Sequence, residues 1–193
     1  ERSLARTLPF PLYSLTPLVM LRLLVSIIAF LGLSQGVDGA ACEFQQDNFH
    51  LQYGVRNGVV HFRLILTGIT AHHTAWNAIA FGPSMYAGLD VIMFRIMNGR
   101  VELRDEYVRG FTSPMSDASQ DVVVNSVNYL DNMVVISFRR PQFTRDTQFD
   151  AQLSGCQAWK FATGLNPMSA RGDTFHHRTT PTGRMVCLES CRI

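Results

Sequence analysis

The sequence predicts an all-β protein folded as an antiparallel β-sandwich. Apolar, β-branched and aromatic segments of strand length recur from residue 43 onward, with turn residues between them. No long segment has the 3.6-residue periodicity of an amphipathic helix. Because no crossover helix separates consecutive strands, the strands should pair as antiparallel neighbours in two packed sheets.

Three segments in the first part of the domain have strand character. The segment VVHFRLIL, residues 59–66, alternates apolar and polar side chains, as a strand with one buried face does. The segments AWNAIAF (75–81) and LDVIMFRIM (89–97) are apolar almost throughout. That pattern is typical of central strands in a packed sandwich.

Turn residues divide the rest of the chain into further strands. The tripeptide NGR at 98–100 predicts one hairpin turn, and Asp131-Asn132 predicts a second between β-branched segments. Two segments, 110–120 and 164–182, are expected to be irregular. The predicted strands of this part are VELRDEYV (101–108), DVVVNSVNYL (121–130), MVVISFRR (133–140) and, last, CQAWKFAT (156–163).

Residues 1–39 have the composition of a secretory signal peptide. Arginines precede the apolar run LLVSIIAFLGL, and the small residues of SQGVDGAA follow it. The alternative is an uncleaved signal anchor, because residues 18–33 approach membrane length if Arg22 reaches the interface. We favour cleavage, which predicts a secreted, extracellular protein with residues 42–193 as its single domain.

The distribution of charge argues against a nucleic-acid partner. The formal net charge is +2, and the basic residues are scattered singly rather than clustered on a stripe. Lys160 is the only lysine, and the other basic side chains are arginines. We therefore expect neither DNA nor RNA as a partner.

The four cysteines, Cys42, Cys156, Cys187 and Cys191, predict two disulfides. An even number behind a signal peptide indicates an oxidising compartment. A bond between Cys187 and Cys191 would close a small loop, so it would restrict the unfolded chain little and contribute little stability. We therefore favour pairing each of them with one of the other two cysteines. Zinc is the weaker alternative, because the chain has no C-x-x-C pair.

The sequence contains no catalytic motif that we can assign. It has no G-x-S-x-G, no H-E-x-x-H and no P-loop, so we expect no enzymatic activity. Asp90 and the corner Arg139-Arg140-Pro141 are interpreted as scaffold, with Asp90 hydrogen-bonding a turn. Asp146 and Asp150 are interpreted as turn and capping groups.

Four motifs follow one another along most of the predicted domain. They are WNAIAFGPSMYAGLDVIMF, VNYLDNMVVISFRRPQFTRDTQFD, AWKFATG and TFHHR, and they span about residues 45–178. In their order the chain resembles the DOMON domain family, whose members are similar in architecture to the cytochrome domain of cellobiose dehydrogenase and to the domain ahead of the catalytic core of dopamine β-hydroxylase. The resemblance implies an immunoglobulin-like β-sandwich.

The resemblance also implies a haem site. Haem-binding members ligate b-type haem through a methionine in a G-x-x-M turn and a late histidine, which Met85 and His176 match. His177 is the second candidate, because this chain has two histidines where the pattern has one. Phe175 favours His176, since an apolar residue usually precedes the ligand. Side chains expected to line the porphyrin are Trp76, Phe81, Tyr86 and Met93.

The function that the resemblance implies is one-electron transfer by a secreted b-type cytochrome domain. Its cofactor would be haem b, and its redox partner a separate extracellular or membrane protein. The first alternative is a non-redox binding module for a carbohydrate or an extracellular protein. The second is a copper-handling domain that uses Met85 and a histidine, because thioether sulfur suits Cu(I).

Overall fold

The computed structural model describes residues 40–70 and 72–193. Within these ranges, eleven strands form two sheets and one short 3-10 helix follows the last strand. This confirms the predicted all-β antiparallel sandwich. The predicted signal peptide or anchor, residues 1–39, lies outside the described residues. In the part of the chain that is described, no helix is long and apolar enough to cross a membrane.

Most strands follow one another with short connections, and the longer segments 142–155 and 168–181 precede and follow β10. The five-stranded sheet has the order β1-β2-β3-β9-β8, and the six-stranded sheet has the order β11-β10-β4-β5-β6-β7, with all neighbours antiparallel. In chain order they are β1 (Cys42–Gln46), β2 (Phe49–Arg56), β3 (Val59–Thr67), β4 (Ala75–Ser84), β5 (Gly88–Met97), β6 (Arg100–Val108), β7 (Met115–Ser116), β8 (Val123–Leu130), β9 (Met133–Pro141), β10 (Cys156–Pro167) and β11 (Thr182–Cys187), followed by the helix Leu188–Ser190.

The main core fills the space between the two sheets. Trp159 of β10 is fully buried there and packs on Phe81 and Tyr53, with ring centroids 4.9 Å and 5.0 Å away. Phe62 and Phe138 stack at 4.8 Å across β3 and β9. Because side chains alternate along each strand, the residues between these core positions point to the outer faces.

Both predicted hairpin turns form, and the reason is visible in the backbone. Asn98 and Gly99 have φ of 49° and 71°, and Asp131 has φ of 52°. These left-handed conformations favour glycine, asparagine and aspartate and match the twist of the flanking strands.

The prediction that CQAWKFAT is the last strand was wrong. β10 continues to Pro167, and β11 follows it along the edge of the six-stranded sheet. The segment TGRMVC that forms β11 is mostly exposed, so it has no apolar alternation to reveal it. Its backbone pairing with β10 holds it in place instead.

Two disulfides fasten the C-terminal segment to both sheets. Cys156 is bonded to Cys187, its direct partner in the β10–β11 register, and Cys42 is bonded to Cys191. Val55 of β2 also donates a backbone hydrogen bond to the Cys191 carbonyl, at 2.6 Å. Each C-terminal cysteine thus pairs with a cysteine from the body of the domain, as the loop-length argument favours.

Candidate functional site

Met85 begins the three-residue loop that joins β4 to β5. Its carbonyl oxygen accepts hydrogen bonds from the N–H groups of Gly88 at 3.2 Å and Gly110 at 2.8 Å. The β4–β5 register shifts just before the loop. Gly82, at this shift, has φ of 133°, and a Cβ there would lie 2.8 Å from the Gly88 carbonyl oxygen. Only glycine fits there, so the sequence G-P-S-M fixes where the methionine leaves the sheet.

A cavity of about 620 Å³ lies beside this loop, on the outer face of the six-stranded sheet. We call it the outer-face pocket. Its floor is a second apolar cluster, separate from the main core and partly composed of alanines. Its walls are Met85, the segment 111–114 after β6, and the segment 174–181 between β10 and β11. The floor residues are Trp76, Ala78, Ala80, Leu89, Val91, Met93, Val108 and Ala162.

Both candidate histidines reach the same pocket as Met85. His176 and His177 are among its lining residues, although about ninety positions separate them from the methionine. His176 is exposed and His177 is half-buried. The structure thus brings all three predicted ligand candidates to one cavity.

The histidine segment is held to the sheet through its backbone. The indole N–H of Trp76 donates to the carbonyl of Phe175 at 3.2 Å, and the Phe175 N–H donates to the carbonyl of Pro167 at 3.1 Å. On the other side of the pair, the N–H of Arg178 donates to the side-chain oxygen of Asn166 at 2.9 Å. The Phe175 ring itself is 55% exposed, so burial of this ring does not anchor the segment.

Of the four side chains expected to line a porphyrin, two line the outer-face pocket and two do not. Phe81 lies on the inner face of β4 against Trp159, so it belongs to the main core. Tyr86 is 84% exposed at the tip of the loop and does not line the pocket. Trp76 and Met93 do line it. The parity of strand positions explains the difference, because 76, 78 and 80 face outward while 79 and 81 face inward.

A buried ionic cluster lies on the inner side of the same sheet. Arg140 of β9 is fully buried and contacts Asp90 at 2.7 Å and Asp150 at 3.3 Å. Asp90 also accepts a hydrogen bond from the N–H of Ala151 at 2.7 Å, so its predicted bond to a turn is present. Asp150 is a buried partner of Arg140, so its interpretation as a turn or capping group was wrong. Asp146 is a capping group, because its carboxylate accepts hydrogen bonds from the backbone N–H groups two and three residues later.

The cluster makes stability depend on pH. Burial raises the pKa of Asp90 from 3.8 to about 6. Burial, reinforced by the charge of Asp90, raises the pKa of Asp105 from 3.8 to about 7. Burial raises the pKa of Asp150 as well. A carboxyl with a raised folded-state pKa contributes stability below its unfolded pKa, and this contribution is lost as pH rises through the folded value. The cluster should therefore stabilise the fold less as pH increases from about 4 to about 7.

Residues 45–164 match the family model of the DOMON domain. The chain belongs to the DOMON domain family. No curated protein matches the sequence of this DOMON domain.

Solved structures share the architecture at low sequence identity. The DOMON domain here is similar to the cytochrome b domain of pyranose dehydrogenase from Coprinopsis cinerea, with a TM-score of 0.60, 13% identity, and coverage of 78% of this chain and 83% of that one. It is also similar to the cytochrome domain of Myriococcum thermophilum cellobiose dehydrogenase, with a TM-score of 0.56, 12% identity, and coverage of 83% and 89%. At this identity the likeness shows the fold.

Sequence reasoning missed most of the pocket floor of this DOMON domain. Ala78, Ala80 and Ala162 were not singled out, because alanine is common in buried strands. A signal was present in AWNAIAF and LDVIMFRIM, which are apolar on both faces. One face packs on the other sheet and the second lines the pocket. Small residues at every second position lie on one face of the strand and leave space above it, so this pattern indicates the floor of a cavity.

Proposed function

We propose that this DOMON domain binds b-type haem in the outer-face pocket and functions in one-electron transfer. Met85 and His176 would be the axial ligands, with His177 as the second candidate for the histidine. The observation that carries this proposal is that a methionine and a histidine pair, far apart in sequence, line one pocket with a small-residue apolar floor.

The donor set and the lining fit a haem. Thioether sulfur and imidazole nitrogen together can fill both axial positions of a haem iron, which leaves no open position for oxygen chemistry. The volume lies within the roughly 300–1,000 Å³ typical of small-molecule sites. Haem bound there would supply reversible one-electron reduction, with a potential raised by the methionine.

The chain's own residues would each have a distinct task in such a site. The hydrogen bonds from Gly88 and Gly110 hold the backbone of Met85, so only its side chain needs to be ordered when a ligand binds. Trp76 and Asn166 fasten the histidine segment on either side of its two imidazoles. The alanines of the floor leave space for a flat group, and the surrounding apolar side chains exclude water from it.

The chemistry of the lining favours this ligand over the alternatives. A carbohydrate site needs many hydrogen-bonding groups for the sugar hydroxyls, whereas the floor of this pocket is apolar and the serine and threonine hydroxyls lie only in its walls. A copper ion would need only the ligands and not a large apolar cavity beside them. The two structural neighbours are both cytochrome domains, which also supports haem.

Secretion and a separate redox partner belong to the same proposal. Two disulfides within the described chain suit an oxidising compartment. The electron would be exchanged with a redox partner, which we propose is another extracellular or membrane protein.

Filling the pocket should abolish haem uptake. Ala80→Phe places a ring on the floor of the pocket, so titration with haem should lose the saturable Soret change that we expect of the wild-type protein. Ala162→Phe should act in the same way from β10. Val124→Phe puts the same ring on exposed β8 of the other sheet and should bind haem normally. Equal haem affinity in all four proteins would rule out this pocket as the site.

A further inference from the structure

Lys160 is the one lysine or arginine among the residues that line the outer-face pocket. It lies on β10, two positions from Ala162 of the floor, and is half-buried. No aspartate or glutamate lines the pocket, and no ion pair of Lys160 occurs within the described part of the chain. Among residues 40–70 and 72–193, the only lysine of the sequence therefore has no counter-charge beside this apolar cavity.

The neighbouring strand leaves the ammonium group uncovered. Lys160 is opposite Gly183 in the β10–β11 register, and a Cβ at residue 183 would lie 3.3 Å from the lysine Nζ. A larger side chain there would press on the ammonium group. The glycine thus preserves room around a positive charge on the pocket side of the edge strand.

We propose that Lys160 pairs with a carboxylate of the molecule that occupies the outer-face pocket. An ammonium group beside an apolar cavity gains a charge-assisted hydrogen bond when the molecule in the cavity carries an anionic group. The inference rests on the proposed function to the extent that the ligand is a haem, whose two propionates lie on one edge of an apolar ring.

The pairing has two consequences for recognition. The pocket should prefer flat apolar molecules that carry a carboxylate over their neutral esters. The carboxylate edge of the ligand should also be directed towards β10 and β11. This would determine the orientation in which the ring binds between Met85 and the histidine segment. Lys160 is then a specificity-determining residue.

Iron-free protoporphyrin IX tests this pairing without any axial ligation. Its binding is followed by porphyrin fluorescence, and we expect Lys160→Met to raise its Kd roughly three- to tenfold. Added salt should weaken binding to the wild-type protein more than binding to the variant. Protoporphyrin IX dimethyl ester, which has no free carboxylate, should bind both proteins equally.

Two further variants serve as controls. Lys160→Arg keeps the charge and should retain most of the affinity. Arg184→Met removes a positive charge on β11 that lies opposite Trp159, on the face away from the pocket, and should have no effect. Circular dichroism should show the same fold in each.

The outcomes separate this inference from the haem proposal. Unchanged protoporphyrin affinity in Lys160→Met, or no binding of either porphyrin by the wild-type protein, would overturn the pairing. Haem ligation by Met85 could still stand in the first case. A third outcome is that protoporphyrin binding depends on Lys160 while added haem gives no spectrum of axial ligation. That outcome would support the pairing and refute Met/His ligation.

Discussion

Arg140→Met should lower the free energy of unfolding by about 3–5 kcal/mol at pH 8. Arg140 is the cation that contacts the buried carboxylates of Asp90 and Asp150, and Asp105 lies beside them. Methionine keeps much of the apolar stem but removes the guanidinium group, which lies over the Phe81 ring. The carboxylates are then left with no opposite charge. Urea unfolding followed by tryptophan fluorescence measures the difference.

The same variant should be less impaired at low pH. Without the guanidinium group, which lowers the pKa of Asp90 and Asp105, both carboxyls take up protons at higher pH. The deficit relative to wild type should therefore shrink by on the order of 1–2 kcal/mol at pH 5.

Arg139→Met is the matched control for this prediction. Arg139 is the adjacent residue on β9, exposed on the opposite face, where it donates a hydrogen bond to Asn125. Its replacement should change stability by less than about 0.5 kcal/mol at either pH. If the two arginine variants lost equal stability, the buried cluster would not be the structural element we describe.

His176→Ala should raise the Kd for haem by at least about 100-fold, because removing an axial ligand costs more than removing a residue that only orients one. The fold should survive, since the histidine segment is held by backbone hydrogen bonds and the His176 side chain is exposed. Soret absorbance titrations and thermal unfolding measure the two quantities separately.

His177→Ala is the control on the neighbouring position. It should keep wild-type haem affinity and an unchanged spectrum. If His177→Ala lost haem while His176→Ala kept it, the half-buried imidazole would be the ligand and the assignment within the pair would be reversed. If both variants kept haem with the wild-type spectrum, neither histidine would be a ligand.

Pattern and turn chemistry predicted most strands but not β11. Strands such as β3 and β9 carry alternating or continuous apolar residues, because one or both of their faces are buried. β11 is an edge strand with mainly exposed side chains, so its stability comes from backbone pairing and from the Cys156–Cys187 bond. Neither contribution leaves a local pattern in the sequence.

The role of Asp150 shows a similar limit. Asp146 and Asp150 occur in one turn-like stretch, RDTQFD, and nothing local distinguishes them. The fold places Asp150 against Arg140 and leaves Asp146 to accept hydrogen bonds from the next residues. Which carboxylate is buried depends on the packing of the two sheets.

The candidate ligand residues of the site could be predicted from the sequence, but most of the other residues that line the pocket could not. Met85 and the histidine pair were found by resemblance to a family, with residue types that bind iron. The alanine floor and the position of Lys160 depend on which strand residues face outward. That parity follows from the register of β4 with β10, which a single sequence does not specify.

The most direct test of Met85 as an iron ligand is the absorption spectrum of haem-loaded Met85→Leu beside that of the wild type. Leucine conserves volume, so the change removes the thioether and little else. Met93→Leu makes the same substitution on the pocket floor and is the control. We predict a six-coordinate low-spin spectrum for the wild type and Met93→Leu, and a five-coordinate or water-ligated one with a lower reduction potential for Met85→Leu. A wild-type spectrum in Met85→Leu would contradict the account, because Met85 would then only be packing in its turn.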